Sequence, residues 1–194
     1  ARDTGGLLTE NLPEAFAVEE MTGLIDTSIG KMVPIMPREI QQADPLLVYA
    51  EAYNTLILDR RGFRNPIPEV EGLAPKDHIQ AWVDRKSYIH NFGHAAVVYI
   101  GYRQHPGLVY LYEVLEDPAV YDFARRVMRQ SAEILIAKYP GEFTRQELRE
   151  HIDDLLVRFR NQALGDTVDR VGCDLKRKLH RSDRVLGPNG GVFA

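Results

Sequence analysis

Residues 77–104 read DHIQAWVDRKSYIHNFGHAAVVYIGYRQ; the stretch contains no proline, and its apolar residues recur at helical spacing. This pattern predicts one long α-helix from Asp77 to Gln104. At about 100° per residue, several apolar side chains fall within one sector, which we interpret as the core face. The apolar members of that sector are Ile79, Trp82, Val83 and Val97. Lys86 points into the middle of the same sector.

Polar side chains continue along this apolar face. His90 and His94 follow Lys86 at i+4 and i+8, and Asn91 lies at the edge of the sector. Such a conflict with ordinary patterning is typical of functional sites. A structural alternative is equally compatible with the residue types: Lys86 extends its amine to water, and both histidines are satisfied core residues.

The chemistry available on this face is proton transfer at an alcohol or carbonyl centre. Burial lowers the pKa of a lysine towards neutrality, and a lysine of that kind can exchange a proton with an alcohol near pH 7. Asn91 and His94 can donate hydrogen bonds to the same substrate oxygen as charge develops on it.

Composition limits the classes of protein that remain. The 194 residues carry a formal net charge of −4, 44% apolar residues and one cysteine, Cys173. These values predict a globular protein. The negative net charge does not favour nucleic-acid binding. No membrane binding is expected, because no apolar run approaches the ~20 residues of a membrane span. A single cysteine allows no internal disulfide and no cysteine-based metal cage, and it suits a reducing compartment such as the cytoplasm. No G-x-G-x-x-G follows a predicted strand, so the usual dinucleotide site is not expected within this chain.

Lys86, Asn91 and His94 spell K-x4-N-x2-H within RKSYIHNFGHAAVVYIGY. This resembles the signature of the polyol-specific long-chain dehydrogenases/reductases. The resemblance implies that Lys86 is the general acid/base and that Asn91 and His94 polarise the reacting oxygen, without a metal.

Two further segments extend the resemblance. Residues 26–34, DTSIGKMVP, are similar to the family segment N-S-x-V-D-R-I-V-P, with Lys31 at the arginine position and Gly30 replacing the aspartate. Near the other end, DRVG…RKLHRSDRVLGP resembles D-R-V-x-R-D-P-L-R-K-L-x-x-x-D-R-L. The resemblance makes Arg170 and Lys178, together with Lys31, contacts to substrate hydroxyls or phosphate. Taken without the resemblance, the first segment indicates a plain strand and the second a solvated basic helix end.

The resemblance also implies the architecture. It predicts a mainly α fold: the helical C-terminal substrate-binding domain of the 6-phosphogluconate-dehydrogenase-like type, spanning residues 26–194 after an N-terminal connecting segment, 1–25. A small β element is expected near residues 32–50, formed by Met32–Met36 and Leu46–Ala50. It would extend the sheet of a Rossmann domain of the same polypeptide that carries NAD(H) or NADP(H), so this chain alone is expected to be inactive.

Local signals predict the remaining elements. Asp117 and Pro118 are a helix start, and that helix should run to about Tyr139. Thr144 to Glu147 is a capping box that opens the next helix. The pattern also predicts a short helix at 108–115, loops at 64–76 and 187–194, and loop with a short helix at 1–20. Glu51 is interpreted as a paired or exposed carboxylate rather than a site residue.

The function implied is interconversion of a mannitol 1-phosphate-like sugar alcohol and a fructose 6-phosphate-like ketose, as in the mannitol-1-phosphate 5-dehydrogenase branch. A hexuronate (fructuronate or tagaturonate) reductase and a free-polyol dehydrogenase remain alternatives. From another class, a metal-dependent helical hydrolase would use His90 and His94, at i and i+4, as ligands. A non-catalytic binding domain with the same fold is the last alternative.

Overall fold

The computed structural model of the protein describes residues 2–13 and 16–190. Its element order confirms a mainly helical fold with one small sheet. The longer helices are α1 (Arg2–Asn11), α4 (Ile79–Arg85), α5 (Phe92–Gln104), α7 (Pro118–Lys138) and α8 (Arg145–Phe159). The short helices are α2 (Val18–Met21), α3 (Arg38–Ala43), α6 (Leu111–Val114), α9 (Val168–Gly172), α10 (Leu175–Lys178) and α11 (Gly187–Gly190). The strands are β1 (Thr27–Ile29), β2 (Leu56–Asp59) and β3 (Leu73–Lys76).

The chain divides into two compact units that interleave in sequence. The first comprises residues 1–30 and 53–83, and the second comprises residues 31–52 and 84–194. The sheet lies in the first unit, while α5 to α11 lie in the second.

The sheet of the first unit has the order β1-β2-β3. β1 runs antiparallel to β2, with Ile29 opposite Leu56, and β2 runs parallel to β3, with Leu56 opposite Leu73. Central β2 buries two consecutive residues, Ile57 and Leu58, which is expected of a strand covered on both faces.

The predicted position of the β element, residues 32–50, is wrong. No strand occurs there; the segment is irregular apart from α3, and Leu46 and Val48 are exposed. Pro34 removes a backbone donor from the first predicted strand and Pro37 ends it, and no described segment pairs with the second. β3 lies within the predicted 64–76 loop. Pro75 argued against a strand in the sequence, but β3 is an edge strand, and edge strands tolerate proline.

The core of the second unit is formed where α5 packs against α7 and α7 against α8. Its largest fully buried side chains include Val97, Leu111, Met128, Leu135, Ile152, Leu155 and Phe159. The approach of α5 to α6 depends on Gly101, because a Cβ at that position would lie 2.1 Å from Val114 Cγ1.

The predicted helix starts of this unit are confirmed. The Asp117 side chain accepts the Ala119 N–H at 2.8 Å, Pro118 opens α7, and that helix ends at Lys138. The reciprocal capping box of Thr144 and Glu147 opens α8. The short helix predicted at 108–115 covers only Leu111–Val114.

The two predictions for the chain ends fall partly outside the described residues. At 1–20, residues 1, 14 and 15 are not described, and the remainder contains α1 and α2. The predicted loop at 187–194 begins with α11, and residues 191–194 lie outside the described part. None of the described helices has the length and apolar content that crossing a membrane requires.

Candidate functional site

A π-helical turn lies between α4 and α5. The chain is helical from Ile79 to Gln104, where the prediction was Asp77 to Gln104, and Lys86–Asn91 adopts the π form. At about 100° per residue, five α-helical residues would leave Asn91 about 140° from Lys86. In a π turn, i→i+5 hydrogen bonding instead places residues five apart one above the other. The turn therefore brings Lys86 and Asn91 to one side of the helix.

Lys86 is half-buried on this turn. Burial lowers the pKa of its amine below the ordinary value, and the positive charge of Arg184 lowers that pKa further. Among the residues that the structure describes, none forms a hydrogen bond with the Lys86 amine. The amine is therefore available to a ligand, and it is easier to deprotonate than a surface lysine.

His94 lies on the first turns of α5 and is held by aromatic packing. Its ring stacks on the Phe159 ring, with 3.9 Å between centroids, and its Nε2 lies 3.8 Å from Asp166 Oδ2. Burial, then the nearby His90 and Arg170, hold the pKa of His94 well below its usual range. The imidazole is therefore neutral near pH 7 and carries a single N–H donor.

His90 is buried, with its ring 5.4 Å from that of His94 and 5.6 Å from that of Phe159. Burial, then the charge of Arg158, lowers the pKa of His90 to about 3. Within residues 2–13 and 16–190, no group of three or more His, Cys, Asp or Glu side chains could hold a metal ion. The hydrolase alternative therefore lacks a third ligand in the described part of the chain.

The three predicted substrate cations occupy different surroundings. Arg170 forms an ion pair with Asp166, and its charge acts on His94. Lys178 is buried, donates from Nζ to the carbonyl of Val171, and has its pKa lowered by that burial. Lys31 lies on another segment of the second unit.

Two charged residues near the predicted set were not singled out from the sequence. Asp166 is buried between His94 and Arg170, and Arg184 acts electrostatically on Lys86. Each had a sign in the sequence: Asp166 stands four residues before Arg170, and Arg184 aligns with the arginine of the D-R-L part of the motif quoted above.

Glu51 is a paired carboxylate, in agreement with its interpretation. Arg158 donates from Nε to Glu51 Oε2 at 2.9 Å, and the Met32 N–H donates to Oε1 at 2.6 Å. Both side chains of this ion pair are largely buried, and both charges act on the pKa of His90.

Solved structures share the fold. A mannitol 2-dehydrogenase from Pseudomonas fluorescens, in a ternary complex with NAD and D-mannitol, matches with a TM-score of 0.59 and 23% identity. That match covers 76% of this chain and 30% of the other chain. A D-sorbitol dehydrogenase in substrate-free form matches with a TM-score of 0.67 and 20% identity, over 90% of this chain and 38% of the other. The chain thus spans well under half the length of either protein.

Sequence comparison agrees with the structural likeness. The profile of the family described as "Mannitol dehydrogenase C-terminal domain" matches residues 78–189. The matched range covers more than half of the chain and includes Lys86, Asn91 and His94. It confirms the resemblance indicated by the K-x4-N-x2-H pattern. The chain belongs to the mannitol dehydrogenase C-terminal domain family.

Proposed function

We propose that this chain binds the substrate and moves the proton in an NAD(P)-dependent polyol oxidoreductase. The observation that carries the proposal is the π turn Lys86–Asn91, which aligns a half-buried lysine of lowered pKa with an amide donor. π turns occur frequently at functional sites. Family membership supports the same assignment, since the match includes the whole turn.

The proposed proton transfer runs in both directions. In polyol oxidation, the neutral amine of Lys86 accepts the hydroxyl proton as the carbinol carbon loses hydride. In ketose reduction, the ammonium form returns a proton to the oxygen as that carbon gains hydride. The Asn91 amide and the neutral His94 imidazole each donate a hydrogen bond to this oxygen, stabilising its developing negative charge. The proposal requires no metal for these steps.

The described residues do not fit a dinucleotide. The only sheet among them has three short strands, one of which pairs antiparallel, and no glycine-rich turn leads from a strand into a helix. A dinucleotide site normally needs a parallel sheet and such a turn. We therefore assign NAD(H) or NADP(H) to a Rossmann domain of the same polypeptide and limit this chain to the polyol and its proton.

For the substrate we propose a mannitol 1-phosphate-like polyol and a fructose 6-phosphate-like ketose, with Arg170, Lys178 and Lys31 as contacts. Arg170 already pairs with Asp166, and Lys178 already donates to Val171, so a phosphate must compete with these partners. A hexuronate or a free polyol carries no phosphate that must compete with these partners, and it is therefore the alternative substrate.

The test is NADH oxidation by the full-length protein with four ketoses: fructose 6-phosphate, fructose, fructuronate and tagaturonate. The highest kcat/KM with fructose 6-phosphate is the expected result. Preference for a uronate or for fructose would retain Lys86, Asn91 and His94 in their roles and reassign the basic residues. No turnover of any of the four would contradict the proposed activity.

Replacing His94 by alanine is expected to lower kcat by about 100-fold, the scale of losing one donor to a developing oxyanion. Steady-state kinetics of ketose reduction would measure the loss. His180→Ala is the matched control, since His180 is exposed and bonded to Ser182. An unchanged kcat in His94→Ala would remove His94 from the reaction.

Lys178→Ala is expected to raise KM for a phosphorylated ketose more than for its unphosphorylated analogue, because a cation contributes to phosphate binding. Lys176→Ala removes an exposed lysine from the same helix and serves as the control. An equal rise in both KM values would assign Lys178 to the fold, through its bond to Val171, instead of to the substrate.

A further inference from the structure

The π turn leaves one backbone carbonyl without its α-helical donor. In an α-helix each N–H bonds the carbonyl four residues earlier, so the Phe92 N–H would bond the Tyr88 carbonyl. In the structure the Phe92 N–H donates to the carbonyls of Ser87 and Ile89 instead. The bond to Ser87 is the i→i+5 bond of the π form. The Tyr88 carbonyl, in the middle of the turn, has thus lost the donor that a regular helix would supply.

The hydroxyl of Ser131, on α7, donates to this carbonyl in its place. The Ser131 Oγ lies 2.6 Å from the Tyr88 carbonyl oxygen, and Ser131 is 2% exposed. A serine inside a helix commonly bonds the backbone of its own preceding turn, whereas Ser131 bonds a residue 43 positions away. Both residues are buried, so water has little access to replace the hydroxyl. The bond therefore compensates the carbonyl that the π form releases.

The same helix, α7, also holds the chain on either side of the π turn. Before the turn, buried Asp84 accepts hydrogen bonds from Lys138 Nζ at 2.8 Å and from the Tyr139 hydroxyl at 2.6 Å, both at the C-terminal end of α7. After the turn, a Cβ on Gly93 would lie 2.7 Å from the Met128 sulfur, so α5 and α7 approach closely there. The serine bond thus lies between two other attachments to α7.

The form of the turn determines where its two polar side chains point. In a regular α-helix Lys86 and Asn91 would lie about 140° apart around the axis, whereas the π form places them one above the other. Among the described residues, none forms a hydrogen bond with the Lys86 amine. The direction of this side chain therefore depends on the backbone that carries it. A contact that fixes the backbone of the turn also fixes the relative placement of the two groups.

We propose that Ser131 is a positioning residue: its hydroxyl holds the turn in the π form and so keeps Lys86 and Asn91 on one side of the helix. This rests on the proposed function, in which both groups act on the same substrate oxygen. Ser131 is buried where α7 packs against the turn, so it acts through the Tyr88 carbonyl and not by contact with substrate.

Ser131→Ala in the full-length protein should lower kcat by about 10-fold, the scale of one lost hydrogen bond. KM should stay unchanged, because kcat and kcat/KM fall equally when the lost interaction serves only the transition state. Alanine is a better helix former than serine, so α7 itself is not weakened by the change. Steady-state kinetics of ketose reduction would measure both constants.

A measurement without turnover follows the turn itself. Hydrogen–deuterium exchange, read by mass spectrometry, should become faster in the peptide that spans residues 86–92 of Ser131→Ala and stay unchanged in peptides of α8. Val120→Ala is the matched control, because it removes buried methyl groups from the first turn of α7 and keeps the serine hydroxyl. Its kcat and its exchange at the turn should equal those of the wild type.

A double-mutant cycle separates positioning from a general loss of packing. If Ser131 acts by placing Lys86, its removal should matter less once the lysine is gone, because residues that act as a unit are not additive. In the Lys86→Ala background, where only Asn91 is still held, Ser131→Ala should lower kcat by less than about 3-fold. A loss of packing elsewhere would lower kcat by the same factor in both backgrounds.

A loss of kcat that shrinks in the Lys86→Ala background, with faster exchange at the turn, supports the proposal. Unchanged kcat or unchanged exchange in folded Ser131→Ala overturns it, as does an equal loss in both backgrounds. Ser131→Cys, whose thiol is a weaker donor, replaces Ser131→Ala under the same criteria if that variant does not fold. The proposed function fails separately: full turnover by Lys86→Ala contradicts it. Loss of turnover there, with normal kcat in Ser131→Ala, retains the function and removes only Ser131.

Discussion

Lys86→Ala in the full-length protein is expected to lower kcat for polyol oxidation by a factor on the order of 10²–10⁴, the contribution of a positioned acid/base. The variant loses the group that accepts the hydroxyl proton, and no other described side chain on the π turn can replace it, since His90 is neutral and buried. Affinity for the nicotinamide cofactor should stay unchanged, because the lysine handles a proton and not the nucleotide. Pre-steady-state absorbance and cofactor titration would measure the two effects.

The pH dependence sharpens this expectation. Burial and Arg184 lower the pKa of Lys86, so wild-type oxidation should fall as pH drops through that lowered pKa and the amine becomes protonated. In Lys86→Ala this acidic limb should disappear, and a small primary amine added to the buffer should restore part of the rate. Lys176→Ala is the control for loss of one positive charge. Substantial residual turnover at neutral pH without added amine would exclude Lys86 as the acid/base.

The helix that carries the site was predictable because its evidence is local. Residues 77–104 contain no proline, and their apolar spacing predicts a helix. The structure contains this helix, with the π turn in its middle. The prediction assumed a constant angle per residue across all 28 positions. The π turn breaks that assumption from Lys86 onward. Val83, predicted on the core face, precedes the turn and is 36% exposed. The five-residue spacing of Lys86 and Asn91 was the available sign, since such a pair shares a side only across a π turn.

The helix starts were predicted for the same reason. Asp117 and Thr144 make their capping bonds within three residues, so the sequence contains both partners of each bond in one window. Strand pairing lacks that property. β2 pairs with segments about thirty residues before it and about seventeen after it, and short apolar runs do not identify their partners. The Leu46–Ala50 run had the composition of a strand but has no paired neighbour in the described chain.

The partners of the site residues could not be read from the sequence because they are distant along the chain. Arg158 and Glu51 are 107 residues apart, and no periodicity links them. Glu51 alone is compatible with a solvated carboxylate, and Arg158 alone with an exposed position on α8. Their burial and their mutual contact become visible only when the second unit is assembled.

This ion pair should contribute strongly to stability. The Arg158 side chain is 11% exposed and that of Glu51 is 7% exposed. Burial alone would raise the pKa of Glu51, yet the hydrogen bonds from Arg158 and from the Met32 N–H outweigh it, and the pKa is lowered. The carboxylate is therefore charged at neutral pH, and it depends on Arg158 for compensation.

Arg158→Met is expected to lower the free energy of unfolding by about 3–5 kcal/mol at pH 7, because it leaves the buried Glu51 charge without its partner. Urea unfolding of the full-length protein and of the variant would measure the loss. Arg125→Met breaks the more exposed pair with Asp153 and should cost at most about 1 kcal/mol. The double variant Glu51→Leu/Arg158→Met should recover most of the loss, since it removes both charges together.

Because the folded-state pKa of Glu51 is lowered, the wild-type advantage should be present above its unfolded pKa and disappear as pH falls through the folded value. A variant as stable as the wild type at pH 7 would show that Glu51 finds other compensation.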